Sequence, residues 1–180
     1  MQKYIECGNL TGRYSDGVFQ ENIETNAFYK KIMTIIRLKV IPKDMQSIII
    51  DFTPIDLIST AIYKLIYESE DNSIVYHLYN SKTITIEQLV TILNEVGFNI
   101  KTLSDEDIKE LSKTEQKQIN ELIFEIYPTI NKSNIIVENA ITDEILQKID
   151  FEWKTIDKQY LLKIINYVRE VINSNYEDNK

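Results

Sequence analysis

Residues 4–20 run YIECGNLTGRYSDGVFQ and hold three of the chain's four glycines, Gly8, Gly12 and Gly17. The first part, 4–10, is short, partly β-branched and interrupted by glycine, which predicts a strand. Residues 11–22 predict a polar loop carrying two aromatic side chains. A glycine-bearing turn after a strand invites a phosphate-binding reading, so the spacing decides. A dinucleotide fingerprint needs G-x-G-x-x-G, each glycine with its own steric role. Here Gly8-x-x-x-Gly12-x-x-x-x-Gly17 fails that test. Gly12 and Gly17 do match the two glycines of a P-loop, but Val18-Phe19 stands where the lysine and hydroxyl residue belong. Nothing at those positions would hold a γ-phosphate or its metal. Neither motif is present.

Downstream of the loop, Ala27, Phe28, Ile32, Ile35 and Ile36 recur at helical spacing and predict a helix over 23–38. Val40-Ile41-Pro42 reads as its close, because proline disfavours helix in the residue before it. Residues 47–52 (SIIIDF) predict a strand. Thr53-Pro54-Ile55-Asp56 reads as a helix start, with Thr53 as cap, Pro54 at the first position and Asp56 near the positive end of the dipole. That helix runs to about Tyr67, and 73–79 (SIVYHLY) predicts the next strand. Thr85 and Gln88 form a capping box for a helix over 86–96, closed by Gly97. Residues 98–103 predict a short strand.

Ser104 and Asp107 then start a helical region to about Tyr127, broken near 112–114 and stopped by Pro128. Ile135–Val137 reads as a weak strand, Thr142 as the cap of a short helix, and Asp157 as the cap of a last amphipathic helix. Strand–helix alternation in front with helices behind predicts a helix-rich mixed α/β fold.

The chain has 180 residues, a formal net charge of −8 and 43% hydrophobic residues. One domain able to bury a proper core is the natural reading of those figures. The acidic balance, with only Arg13, Arg37 and Arg169 as arginines, argues against nucleic acid, which wants a basic face. No apolar run approaches the roughly 20 residues of a membrane span, and no signal-peptide core stands at the start. A soluble, cytoplasmic protein is the expectation. Cys7, alone in the chain, cannot make an internal disulfide and reads as a packed thiol.

Other constellations are ordinary on inspection. Tyr176 and Lys180 have the spacing of a dehydrogenase dyad, but in an acidic terminal tail. His77, the sole histidine, cannot build a metal site without further ligands, so no metal is expected. Asp105-Glu106-Asp107 sits at a helix start, where the dipole explains it. Lys30, Lys31, Arg37, Lys39 and Lys43 gather on one helix and its exit, either a solvated face or a docking patch for an acidic partner.

The run GNLTGRYSDGVFQ (8–20), with Asn22, Asn26-Ala27-Phe28-Tyr29, Ile41-Pro42, Phe52-Thr53-Pro54-Ile55-Asp56, His77-Leu78-Tyr79-Asn80 and Phe151-Glu152-Trp153, resembles the thioester reductase domains that end some nonribosomal peptide synthetases. These are extended short-chain dehydrogenases/reductases, and carboxylic acid reductases are similar more distantly. The resemblance implies late strands of a Rossmann-like sheet followed by a mainly helical substrate-binding part. On that reading, 1–80 carry the residual strands, 81–173 the helical part and 174–180 a polar tail. It implies NADPH-dependent reduction of a carrier-protein phosphopantetheine thioester, releasing an aldehyde or alcohol.

The family's glycine fingerprint and its threonine–tyrosine–lysine catalytic set lie in an upstream nucleotide-binding half, so no catalytic residue is expected here and the chain alone is expected to be inactive without binding cofactor. Gly8, Asn9 and Leu10 would lie near the nicotinamide of a complete enzyme; Arg13, Phe19 and Gln20 would line the substrate channel. The family commonly has an arginine two residues before the glycine of GNL, and Glu6 stands here. A substrate half on its own would expose apolar surface, which predicts self-association. The alternative is a non-catalytic module that docks a carrier protein, since carriers in this family are usually acidic.

Overall fold

The computed structural model describes residues 4–70, 75–126 and 139–177. Along the chain it forms β1 (Tyr4–Cys7), β2 (Leu10–Thr11), α1 (Ala27–Leu38), β3 (Val40–Pro42), β4 (Ile49–Ile50), β5 (Thr53–Pro54) and α2 (Ile55–Tyr67). There follow β6 (Val75–Leu78), β7 (Ile84–Thr85), α3 (Ile86–Glu95), β8 (Lys101–Leu103), α4 (Asp105–Glu110), α5 (Lys113–Ile126), α6 (Ala140–Lys148) and α7 (Lys158–Glu177). The fold is mixed α/β and helix-rich, with short strands joined in pairs. Two compact units are built from segments distant in sequence. The first draws on Met1–Ile23, Asp51–Thr83 and Val137–Lys180, the second on Glu24–Ile50 and Ile84–Ile136.

In the first unit, β1 lies parallel to β6 in the register Tyr4↔Val75, Ile5↔Tyr76, Glu6↔His77 and Cys7↔Leu78. β2 lies parallel to β5, Leu10 opposite Thr53. The strand expected over 4–10 therefore breaks at Gly8-Asn9, its two pieces pairing with different partners. A β-carbon on Gly8 would stand 2.5 Å from both Asp51 Oδ2 and Tyr79 Cβ, so only glycine passes here. On α2, Ile58, Ala61 and Leu65 recur at helical spacing and pack with Tyr76, Leu78, Ile145, Leu146, Phe151 and Trp153. Cys7, expected to be packed, is exposed.

The start of α2 departs from expectation. Thr53 belongs to β5, and its hydroxyl accepts the Asn80 amide (3.0 Å) rather than capping the helix. Pro54 stands at the cap position and offers no side-chain bond. Asp56 takes over, its Oδ1 accepting the Leu57 amide at 3.0 Å. Likewise Thr142 is buried inside α6 and accepts the His77 amide (3.3 Å), the helix having begun at Ala140. Asp157 does cap α7 through the Tyr160 amide (2.8 Å).

In the second unit, α1 begins after Asn26, whose side-chain oxygen accepts the Phe28 and Tyr29 amides at 3.0 and 3.2 Å. The helix expected from Ile23 is thus shortened, Ile23–Thr25 forming a 3-10 turn. Val40–Pro42 is a strand rather than a mere helix close, parallel to β8. Lys39 enters the left-handed region (φ 56°) and ends α1, freeing the next three residues to extend. β4 and β7 pair antiparallel. The Thr85–Gln88 and Ser104–Asp107 capping boxes both form as expected. The break near 112 is real: Ser112 and Glu115 cap the start of α5. α1 packs on α5, and Phe28, Tyr29, Ile32, Ile35, Leu89, Leu93, Ile119 and Leu122 are buried in this unit. The expected strand at 135–137, the stop at Pro128, and Lys180 of the tail pair lie outside the described residues.

Candidate functional site

The first unit holds all six residues singled out for cofactor and substrate contact. Gly8, Asn9 and Leu10 form the turn between β1 and β2. The Gly8 amide donates to Leu78 O at 2.9 Å, and the Thr53 amide donates to Asn9 O at 3.0 Å. The Asn9 amide donates to Asp51 Oδ2 at 2.7 Å, and its side-chain nitrogen to Asp51 Oδ1. Asn9 is exposed and Leu10 is 37% exposed. Beside the turn, Glu6 Oε2 stands 3.0 Å from His77 Nδ1 on the neighbouring strand.

This turn does not fit the phosphates of a dinucleotide. Residues 6–10 include no basic side chain, Glu6 and Asp51 are acidic, and the Asn9 backbone amide and side-chain nitrogen each donate to Asp51.

Arg13, Phe19 and Gln20 lie on the loop from 13 to 20, which closes on itself. The Arg13 amide donates to Val18 O at 2.9 Å and the Gly17 amide to Arg13 O at 2.7 Å. The Arg13 guanidinium grips Asp16 through two bonds of 3.0 and 2.7 Å. That bond, with the Val18 amide, holds the Asp16 carboxyl below its ordinary range and raises Arg13. Arg13 is thus engaged in closing the loop. Gln20 is exposed and Phe19 half-buried.

Gly12 and Gly17 explain why the loop carries glycine. A β-carbon on Gly12 would lie 2.1 Å from Gly17 O, and one on Gly17 (φ 80°) would lie 2.5 Å from the Lys163 carbonyl carbon. The pair allows close backbone approach instead of cradling a phosphate.

α7 and α2 hold this loop. Tyr160 is buried, its hydroxyl 2.7 Å from Gly12 O and 2.7 Å from Thr11 Oγ1. Lys163 Nζ donates to Tyr14 O at 3.1 Å and lies 5.8 Å from the Tyr14 ring centre. The Tyr167 hydroxyl reaches Phe19 O at 3.0 Å and Gln20 O at 3.1 Å. Tyr14 stacks on Tyr160 with ring centres 5.0 Å apart. From α2, the Asp56 carboxylate accepts the Tyr14 and Ser15 amides at 2.8 and 3.2 Å. Burial, helped by Asp157 for Tyr14 and Glu21 for Tyr167, pushes both phenols up, so they remain protonated at neutral pH.

Thr11, Tyr160 and Lys163 bring a threonine, a tyrosine and a lysine together, but not as a catalytic set. A phenol has one proton, and Tyr160 gives it to Gly12 O, so Thr11 must donate to Tyr160. The ammonium is bound to a backbone carbonyl. These residues are a clamp. Among the described residues no group of three histidine, cysteine or acidic side chains could hold a metal. A small cleft of about 30 Å³ elsewhere in this unit, lined by Ser81, Lys82, Asp143, Gln147, Glu152 and Trp153 among others, includes none of the six predicted residues.

Sequence reasoning missed Tyr160, Lys163 and Tyr167. The available signal was their spacing, three and then four positions on one helix, which puts them on one face. Asp51 had no local signal; its partner Asn9 lies 42 positions away.

No protein-family model matches the chain, and no curated protein does. Among solved structures, it is similar to a thiolation-reductase di-domain from an archaeal nonribosomal peptide synthetase, with 33% identity and a TM-score of 0.76 over 93% of this chain and 36% of that one. It is also similar to the reductase domain of the aureusimine biosynthetic cluster (24% identity, TM-score 0.72, 95% of this chain and 44% of that one). A third likeness is to the terminal R domain of the myxalamid PKS-NRPS pathway (17% identity, TM-score 0.69, 91% and 42%). The chain therefore spans less than half the length of each. Among the described residues no helix is long and apolar enough to cross a membrane.

Proposed function

This chain belongs with the reductase domains of nonribosomal peptide synthetases, having the fold of the C-terminal part of a thioester reductase of the short-chain dehydrogenase type, and from that premise we propose that it is the substrate-binding portion of such an enzyme. The observation that supports this reading is the loop from Gly12 to Gln20, closed by Arg13 and Asp16 and anchored from two helices, with the Gln20 side chain left exposed. A loop fixed by its own backbone bonds and by anchors from two helices, with no activated nucleophile, suits binding and orientation rather than bond breaking. Its substrate would be an acyl or peptidyl chain held as a thioester on the phosphopantetheine arm of a carrier protein, with Arg13, Phe19 and Gln20 lining the channel.

NADPH would be carried by a nucleotide-binding half, with the Gly8-Asn9-Leu10 turn at the edge facing its nicotinamide end. When bound, that cofactor supplies the hydride; this chain orients the thioester and does not turn it over alone.

The test is reduction of a carrier-bound acyl thioester, followed by loss of NADPH absorbance. The chain alone is expected to be silent and to gain activity when joined to the nucleotide-binding half of a relative. Turnover by the chain alone would overturn its inactivity in isolation, and no gain on joining would overturn the reductase role.

A second reading, a carrier-docking module, is favoured by α1 and its exit. Lys30, Arg37, Lys39 and Lys43 are exposed there, and α1 itself contains no acidic residue although the chain is acidic overall. If Arg37→Glu with Lys39→Glu abolished carrier capture while the joined enzyme still reduced a free pantetheine thioester, both roles would reside in one chain.

A further inference from the structure

We propose that Tyr160, Lys163 and Tyr167 are positioning residues, a latch on one face of α7 that sets the shape of the 13–20 loop and so the presentation of Phe19 and Gln20. The functional half of this inference rests on reading that loop as substrate-lining.

The three side chains stand at i, i+3 and i+7, spacings that share one helical face. Between them they meet four carbonyls: Tyr160 donates to Gly12, Lys163 donates to Tyr14, and the single Tyr167 proton is shared between Phe19 and Gln20. The latch therefore grips both ends of the loop. Gly17 fits between the ends, so close to the Lys163 backbone that no β-carbon fits. At the far end a single hydroxyl meets two successive carbonyls, which turns both toward the helix. With its carbonyl so held, Gln20 keeps an exposed side chain and Phe19 a half-buried one. Tyr167 supports this geometry without filling the core, so its hydroxyl can be removed without opening a cavity.

The ends should also separate. Loss of the Tyr167 hydroxyl removes its bonds to the Phe19 and Gln20 carbonyls but leaves the Tyr160 and Lys163 bonds. Loss of the Lys163 ammonium removes the bond to the Tyr14 carbonyl instead, while Asp56 still holds the Tyr14 amide. A side chain that merely stabilised the fold would not give this division.

The experiment uses the full chain, with Tyr167→Phe, Lys163→Met and, as a control, Tyr67→Phe on exposed α2 surface. Brief chymotrypsin treatment with mass-spectrometric mapping reads the loop, and calorimetric binding of an acetyl-pantetheine thioester reads its use. Tyr167→Phe is expected to speed cleavage after Phe19 at least fivefold, with a melting midpoint near that of the control. Lys163→Met is expected to speed cleavage after Tyr14 instead. Tyr167→Phe is also expected to weaken thioester binding about fivefold. Unchanged cleavage after Phe19 in Tyr167→Phe, or the same pattern in both variants, overturns the latch. Altered cleavage with unaltered thioester binding, or no binding by the parent chain, leaves the latch standing and overturns the substrate role of the loop.

Discussion

The Tyr160 hydroxyl lies 2.7 Å from Thr11 Oγ1 although 149 positions separate the two residues, and the same hydroxyl donates to Gly12 O. Both tyrosine and threonine are buried. The contact joins the last helix to the glycine loop at the point where the chain leaves β2, so it couples the packing of α7 to the shape of the candidate site.

Replacing Tyr160 with Phe removes the phenol's bond to the Gly12 carbonyl and leaves the buried Thr11 hydroxyl without that partner. An unsatisfied buried polar group costs about 1–3 kcal/mol, and that loss is the expected change in unfolding free energy. Trp153, the sole tryptophan, is buried in the same unit, so its fluorescence in urea provides the measurement.

Two glycines with positive φ should respond differently to alanine. At Gly97 (φ 91°) nothing stands within 4 Å of a new β-carbon, so Gly97→Ala is expected to cost only the backbone strain, about 1 kcal/mol. At Gly17 the same strain adds to collision with the backbone of Lys163, and a loss well above about 2 kcal/mol is expected. Thermal unfolding of the two variants side by side checks the order. Equal midpoints would contradict it.

Asp56 caps α2 and also holds the Tyr14 and Ser15 amides. Asp56→Ala removes both functions, with an expected cost of about 1–2 kcal/mol for the cap and its bonds. Its particular signature is faster hydrogen exchange at the Tyr14 and Ser15 amides, while the interior of α2 stays protected. Exchange confined to α2 would show that the loop does not depend on Asp56.

Ser104 lowers the Asp107 carboxyl through its amide and hydroxyl, and Ser112 lowers that of Glu115 through its hydroxyl and amide. A lowered carboxyl favours the folded state when ionised, so its support is complete above about pH 5 and is lost as pH falls through the depressed values. Helix content in the second unit is therefore expected to decline on acidification below about pH 4. Asp107→Asn combined with Glu115→Gln, which removes the titrating carboxyls, should flatten that part of the circular-dichroism titration. An unchanged titration would mean these caps carry no pH dependence.

The elements read correctly from sequence are those whose determinants lie within a few residues. The Thr85–Gln88 box, the Ser104–Asp107 box, the break at Ser112 and the Asp157 cap each join groups three positions apart. Hydrophobic spacing likewise placed α1, because Phe28, Ile32 and Ile35 fall on one face whatever they pack against. Thr53 failed as a cap because its hydroxyl is taken by Asn80, 27 positions on. Val40–Pro42 became a strand because β8 supplies a parallel partner, which three residues cannot announce.

For the candidate site, the amino-acid sequence by itself determined that 8–20 is a glycine loop with no phosphate motif, and which side chains it could present. It also determined the helical spacing of Tyr160, Lys163 and Tyr167. Only the tertiary structure decided that these three would meet the loop, that the Asn9 backbone amide and side-chain nitrogen would each donate to Asp51, and that two units would form from interleaved segments. Caps and periodicity are enforced by neighbouring residues along the backbone. Contacts across 42 or 149 positions exist only once burial of distant apolar faces has brought those segments together.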